Sequence, residues 1–381
     1  MKAAFVTPGA FPVPSSMGGS VERVVEKVVP RLARRLNVVV YGRTAKRLAA
    51  RGELGGAPIE RYPASDKNRY FESVCRGLSR ERPEIIQVEN RPKWVTRLKR
   101  RFPKSNVWLN LHSTTFLAAK HLSGRQRARS FRAADRIIVN SEFLRSYIAR
   151  IEPGCSAKIR VNHLGVEAAR FPARSSPEGQ ALRASGRSKR GWEGRQIVLF
   201  VGRLVPQKGV HHLLSAVPGI VAKHPEALFV IVGSAAYGSH RLTAYVRKLQ
   251  RQAKPWRKHV YFQPYVSHNE IPGWLAMADL AVVPSVGREA FGLVNVEAMA
   301  AELPVVATRA GGMKEVVADG ETGYLVAKES PGIVRELTAR ITALLGDEEL
   351  RLAMGRRGRD RVMRMFLWEH TAERWLEFAG E

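Results

Sequence analysis

Two kinds of hydrophobic pattern alternate along the chain. Short β-rich runs fall at residues 2–7, 37–41, 85–89, 107–112, 136–140 and 159–163. Longer stretches with helical spacing lie between them. In the first of these, Val21, Val24, Val25, Val28, Leu32 and Leu36 share one face, and Ser20 stands where an N-cap belongs. The pattern lapses over 172–196, where Pro, Ser, Gly and Arg are mixed with few core-forming residues, so a linker is expected there. It then restarts, with apolar runs at 197–201, 228–232, 260–262, 280–284, 304–307 and 324–326. Near-continuous apolar strands separated by helices predict parallel sheets covered on both faces. The expected fold is α/β, with two doubly wound Rossmann-like domains facing across a cleft and ligands at the carboxyl ends of the strands. The final stretch, 363–381, is amphipathic. Phe366, Leu367, Trp375, Leu376 and Phe378 form an apolar side that needs a surface to pack on.

Composition narrows the picture. With 381 residues, 45% hydrophobic and 25% charged, the chain suits two folded domains and not a disordered or disulfide-rich one. Cys75 and Cys155 have no second Cys or His at metal-ligand spacing, which argues against structural zinc and fits a reducing compartment. No apolar run approaches the ~18 residues of a membrane span. The opening MKAAFVTPGAF reads as a buried strand and not as a signal peptide, so a cytoplasmic location is expected.

Charge adds a direction. The net charge is +29, and residues 1–170 hold 34 of the 63 basic side chains but 13 of the 34 acidic ones. A basic half-molecule attracts polyanions, anionic membranes or anionic substrates. The run 91–104 carries seven cations and no acid, and Arg125, Arg127, Arg129, Arg132 and Arg136 form a second cluster. A solvated face is the plain alternative. Nucleic acid is not an expected partner, because no aromatic-basic interleaving or helix-turn-helix pattern is present.

Candidate chemistry concentrates in a few loops. In 284–300, PSVGREAFGLVNVEAMA, Glu289 and Glu297 are eight positions apart, with Gly292 where a loop becomes a helix. Helix-start N–H groups suit an anion. Glu289 at the loop edge, and Glu297 deeper on the same face, can accept hydrogen bonds from sugar or ribose hydroxyls. Two solvated glutamates fit the spacing equally well. Arg203 and Lys208 follow the first strand of the second half, and two cations in one βα loop can neutralise a diphosphate. No Asp-x-Asp pair is present to hold a hard cation, and a solvated surface pair is the plain alternative for the two cations. Gly18 and Gly19 follow the first strand, and His112 ends the run VWLNLH, where α/β folds place ligands. A strand-to-helix turn and a structural His are the plainer readings of these.

Several segments, in this order, carry a resemblance: GGSVERVV (18–25), NSEFLRSYI (140–148), NHLGVEAARF (162–171), FVGRLVPQKG (200–209), the E-x7-E of Glu289 and Glu297, and PVVATRAGGMKEVVADGETGYLV (304–326). Together they resemble the family-four retaining glycosyltransferases, which have the GT-B fold. The resemblance implies an acceptor-side domain over 1–171, a linker over 172–196 and a nucleotide-sugar domain over 197–362. The helix of 363–381 would cross back onto the first domain. It implies that Arg203 and Lys208 hold the donor diphosphate, that Glu289 and His112 position and polarise the sugar, and that Glu297 holds the ribose. Gly18, Gly19, Val266, Phe291, Gly292, Leu293 and Val294 would complete the donor site, with the base met by backbone groups near Val266.

The implied reaction moves a hexose-type sugar from a nucleotide diphosphate sugar to a hydroxyl, with retention and with neither metal nor cofactor. FVTPGAFPVPSSMGGSVERVV and VGSAAYG look like the bacterial spore-coat subgroup. That suggests a cell-envelope or spore-surface glycan acceptor, and the basic first half suggests that the acceptor is anionic or lipid-linked, with peripheral contact at an anionic membrane or the spore surface. Alternatives are a nucleotide-sugar epimerase of the same fold, and a basic polyanion-binding or coat protein without transferase activity. Gln263 and Pro264, Glu302 and Glu167 depart from the usual Leu-Gly-like pair, Gly and Asp of the family.

Overall fold

A computed structural model of the chain describes residues 1–15, 19–236, 238, 242–329 and 331–381. It folds as two α/β units, one of Met1–Leu164 with Trp368–Glu381, the other of Gly165–Leu367. In unit 1 the elements are β1 (Lys2–Val6), α1 (Ser20–Leu32), β2 (Asn37–Arg43), β3 (Arg51–Leu54), β4 (Ala57–Tyr62), α2 (Lys67–Glu81), β5 (Ile85–Glu89), α3 (Pro92–Arg101), β6 (Asn106–Leu111), α4 (Gly124–Ala133), β7 (Arg136–Val139), α5 (Glu142–Ile151) and β8 (Ile159–Val161). Unit 2 contains α6 (Pro177–Ser188), β9 (Gln196–Val201), α7 (Val210–Val221), β10 (Ala227–Val232), α8 (Ala244–Ala253), β11 (Val260–Gln263), α9 (Ile271–Met277), β12 (Leu280–Val283), α10 (Leu293–Ala300), β13 (Val305–Thr308), α11 (Met313–Val316), β14 (Gly323–Val326), α12 (Gly332–Gly346) and α13 (Glu348–Met365). The last helix, α14 (Trp368–Gly380), belongs to unit 1.

The first sheet runs β3-β4-β2-β1-β5-β6-β7-β8 and the second β11-β10-β9-β12-β13-β14. All pairings are parallel except β3 with β4. That hairpin was not anticipated. Its turn residues Gly55 and Gly56 have φ of 54° and 90°, as a tight primed turn requires, but β3 is too polar to read as a strand. The unit 2 core is built from Val198, Phe229, Val282 and Val306 of the sheet against Leu213 and Val217 of α7 and Leu337 and Ile341 of α12.

Phe5, Gln87 and Trp108 lie in one register row across β1, β5 and β6. Trp375 of α14 covers that row. Its ring centroid is 5.6 Å from Phe5 and 5.1 Å from Trp108, and its Nε1 donates to Gln87 Oε1 at 2.6 Å. Burying the ring there is worth several kcal/mol, because truncating a buried Trp costs about 3–5 kcal/mol.

Three expectations need correction. Ser20 is the first residue of α1 and not its cap; Gly19 caps it, without a side-chain hydrogen bond, and the helix ends at Leu32, short of Leu36. The first unit ends at Leu164 instead of 171, and the chain rejoins it at Trp368. The stretch 172–196 is not a plain linker, since it holds α6. Arg183 and Arg187 of that helix, with Arg174 before it, reach Asp279 at 2.5, 2.6 and 3.1 Å. The helix is fastened through spaced arginines onto a buried acid, so a search for apolar periodicity passes over it.

Candidate active site

In each sheet the chain leaves the first strand toward one side and later returns on the other. β1 lies between β2 and β5, and β9 between β10 and β12. Loops at such a switch point diverge from the carboxyl edge and leave room for a ligand. The loop after β9 carries Arg203 and Lys208, and the loop after β12 carries Glu289.

Glycines bring these two loops together. Gly209, at φ 70°, sits so close to Pro284 that an added Cβ would fall 1.8 Å from its carbonyl oxygen. The contact sets Lys208 beside the second loop, where its Nζ is ion-paired with Glu289 Oε2. Ser285 Oγ donates to the same oxygen at 3.3 Å. Gly311, at φ 59°, leaves space for the Glu289 carbonyl 1.8 Å from where a Cβ would lie. The next N–H, of Gly312, donates to that carbonyl at 2.9 Å. Glu289 is thus held through both main chain and side chain. It precedes α10 and does not share a helical face with Glu297. Arg203 is exposed on the first loop.

Gly292, at φ 89°, starts α10. Leu293 and Val294 of the first turn are half-buried, and Phe291 packs its ring 5.9 Å from Phe366. Glu297 is buried on α10, and His268 Nε2 meets its Oε1 at 2.8 Å. Val266 is half-buried two residues before His268, in the loop after β11. Glu302 takes φ 58°, the left-handed region that explains a Gly at this place in the family. Here its carboxylate accepts from Ser175 N–H at 2.8 Å.

In unit 1, His112 follows the last residue of β6. Its Nε2 is 2.7 Å from Glu89 Oε2, and its N–H donates to Asn90 Oδ1 at 2.9 Å. Glu89 is fully buried and its other oxygen accepts from Gln87 Nε2 at 2.6 Å. Among the described residues, Nδ1 of His112 is buried without a partner. Gly19, at φ 102°, lies against Glu22; a Cβ there would sit 2.6 Å from Oε2. Burial lifts the Glu22 carboxyl above its usual range, with the Phe11 N–H pulling the other way. Gly18 lies outside the described residues, as do Ser16 and Met17 of the opening motif and Tyr237 of VGSAAYG.

Three cations converge on the loop after β1: Arg91, which the sequence placed only in a basic run, and Arg43 and Lys67, which it did not single out. Arg91 Nη2 donates to Pro8 O at 3.2 Å, Lys67 Nζ to Gly9 O at 2.6 Å and Arg43 Nη1 to Ala10 O at 2.9 Å. Burial, together with Arg91 and Arg43, holds the Lys67 ammonium below its ordinary range. None of the three makes an ion pair with a described carboxylate. The basic runs are less available than their sequence suggests. Glu72 takes both Arg97 and Arg101, Asp135 takes Lys99, Glu152 takes Arg127 and Glu381 takes Arg136. Lys93, Arg100, Arg125, Arg129 and Arg132 are exposed on α3 and α4, which pack together, and make no such pairs among the described residues. Among the described residues, no helix is long and apolar enough to cross a membrane.

Two doubly wound units, with paired glycine-locked loops carrying a Lys–Glu pair, define a sugar-transferring enzyme once set beside known proteins. Residues 17–170 match the model of glycosyltransferase family 4 and 184–361 that of the group 1 glycosyl transferases. Spore coat protein SA of Bacillus subtilis strain 168 is 33% identical over 377 residues, 99% of this chain and 98% of its own length. The putative glycosyltransferase YtcC of the same organism is 30% identical, over 98% of this chain and 90% of its own. The chain belongs to the group 1 glycosyltransferases. Its fold is GT-B: HepE of Anabaena in complex with UDP superposes with a TM-score of 0.80 at 22% identity, covering 100% of both chains. Family membership favours transfer over the epimerase, polyanion-binding and inactive-coat alternatives.

Proposed function

We propose that the protein moves a hexose-type sugar from a nucleoside diphosphate sugar to a glycan hydroxyl, with retention and without a metal ion. The observation that carries the reading is the glycine-locked pair of loops holding Lys208 and Glu289 together at the carboxyl edge of unit 2. HepE, of the same fold, was solved with UDP and with UDP-glucose, which supports a nucleotide-sugar donor. In this reading Lys208 and Arg203 offset the charge of the leaving diphosphate. Glu289 and His112 polarise the sugar, Glu297 holds the ribose, and backbone groups near Val266 and from Phe291 to Val294 line the donor. The acceptor oxygen bonds to the anomeric carbon as the bond from that carbon to the phosphate oxygen breaks. The leaving phosphate takes the acceptor proton on the same face.

Arg43, Lys67 and Arg91 support an acceptor that carries an anionic group. The likeness to spore coat protein SA supports a cell-envelope or spore-surface glycan. A thermal-shift screen of UDP-, GDP- and ADP-glucose after EDTA dialysis tests the donor, since a ligand of the native state raises stability with the logarithm of its concentration over Kd. One donor should stand out. Mass spectrometry with acceptor present should then show a glycosylated product and released nucleotide. Protection by none of the three, or activity appearing only on adding manganese or magnesium, speaks against the reading.

A further inference from the structure

We propose that His268 and Arg170 act as positioning residues for Glu297, and that they sharpen recognition of the vicinal hydroxyls of a ribonucleoside diphosphate. The inference rests on the reading that Glu297 holds the ribose. His268 bonds on both sides of its ring: Nδ1 is 3.3 Å from Arg170 Nη1, and Nε2 is 2.8 Å from Glu297 Oε1. A guanidinium only donates, so Nδ1 must be the acceptor and the ring proton resides on Nε2. Arg170 therefore selects the tautomer, and the tautomer sends an N–H to the carboxylate. In the other tautomer, Nε2 would present a lone pair to Glu297 and repel it.

The assembly is braced. Arg170 Nη2 donates to Asn269 Oδ1 at 2.8 Å. The Phe171 ring stands edge-on to the imidazole at 6.4 Å and 72°. The His268 and Glu297 side chains are 20% and 6% exposed, so the bond between them is shielded from water. A Glu side chain turns about three bonds, and one charge-assisted hydrogen bond selects a single aim for the carboxylate. A carboxylate has about four lone-pair sites, so accepting from His268 is compatible with accepting from ribose hydroxyls. The relay spans the loop after β11, the segment before α6 and α10.

Calorimetry on the full chain with UDP and with 2′-deoxy-UDP tests this, or with the GDP or ADP pair if the screen selects that base. A hydrogen bond to a charged group makes the wild type bind the ribonucleotide roughly 10- to 100-fold more tightly than the deoxy form. His268→Ala and Arg170→Met should each weaken the ribonucleotide by roughly tenfold and the deoxy form, which keeps only its 3′-hydroxyl, by clearly less, so that the ratio falls toward one. The double variant should be no worse than either single one, because both act along one path. His268→Gln, which can still donate an N–H, should restore most of the ratio. Equal losses for both nucleotides, or an unaltered ratio, overturn the relay. If Glu297→Ala removes discrimination while the His268 and Arg170 variants retain it, the relay alone fails. A wild type that binds both nucleotides equally overturns the ribose reading beneath it. His268→Gln and Arg170→Met carry the test if His268→Ala does not fold.

Discussion

Lys208 is ion-paired with Glu289 across 81 positions of sequence. Each side chain is roughly a quarter exposed, at 24% and 22%. Such a pair contributes about 0–1 kcal/mol to stability, so its value lies in aiming both groups. Glu289→Gln should lower turnover by at least ~100-fold, if the carboxylate acts mainly as charge develops on the sugar. The melting temperature should move by only a few degrees. Steady-state kinetics beside a thermal melt checks both, and near-normal turnover would remove Glu289 from the catalytic set.

Gly311 and Gly320 offer a controlled comparison. Both have positive φ, 59° and 79°, but a Cβ at Gly320 meets nothing within 4 Å, while one at Gly311 strikes the Glu289 carbonyl. Gly320→Ala should cost about 1–2 kcal/mol of left-handed strain and leave activity intact. Gly311→Ala should cost more and lower activity as well, because the loop bearing Glu289 must move. Urea unfolding with an activity assay separates the two, and equal behaviour would argue that the glycine contact does not position the acid.

Asp279 makes a prediction in pH. Burial opposes its ionisation, but Arg183, Arg187, Arg174 and the Ile197 N–H outweigh this and hold the carboxyl down at about 2, below its ordinary 3.8. A depressed acid stabilises the fold above its unfolded value and loses that contribution as pH falls through its folded value. The protection should therefore be complete above about pH 5 and fade between roughly 4 and 2. Asp279→Asn leaves three arginines facing a neutral group and should cost about 3–5 kcal/mol at pH 7. The gap between variant and wild type should narrow toward pH 2. Denaturant midpoints across that range check it, and a constant gap would show that the cost is not one of charge.

The exposed cations of α3 and α4 predict salt-sensitive attachment to an anionic surface. Reversing Lys93, Arg100, Arg125 and Arg129 to Glu should abolish co-sedimentation with anionic liposomes, since each nearby cation contributes about 1 kcal/mol. Reversing Arg97 and Arg101 should instead lower stability, because Glu72 occupies them. Wild-type pelleting that is equal on neutral lipid, or indifferent to salt, would reject the electrostatic contact.

The amino-acid sequence by itself determined the positions of all strands but β3 and β4, the two-unit organisation and the loops that carry Arg203, Lys208 and Glu289. Those signals are local: apolar runs of strand length, helical spacing and short motifs at strand ends. The hairpin of β3 and β4 and the helix α6 escaped because each is held by something other than an apolar stripe, a Gly-Gly turn in one case and arginines on Asp279 in the other. Tertiary structure alone decided the partners. Glu89 meets His112 because β5 and β6 are neighbours, with Glu89 and Asn110 in register. Trp375 lies on Phe5, Gln87 and Trp108 because three strands from distant parts of the chain align one row. His268 reaches Glu297 only when the loop after β11 folds beside α10, and Arg170 enters from about a hundred positions earlier. No spacing rule connects such residues; strand order and register do.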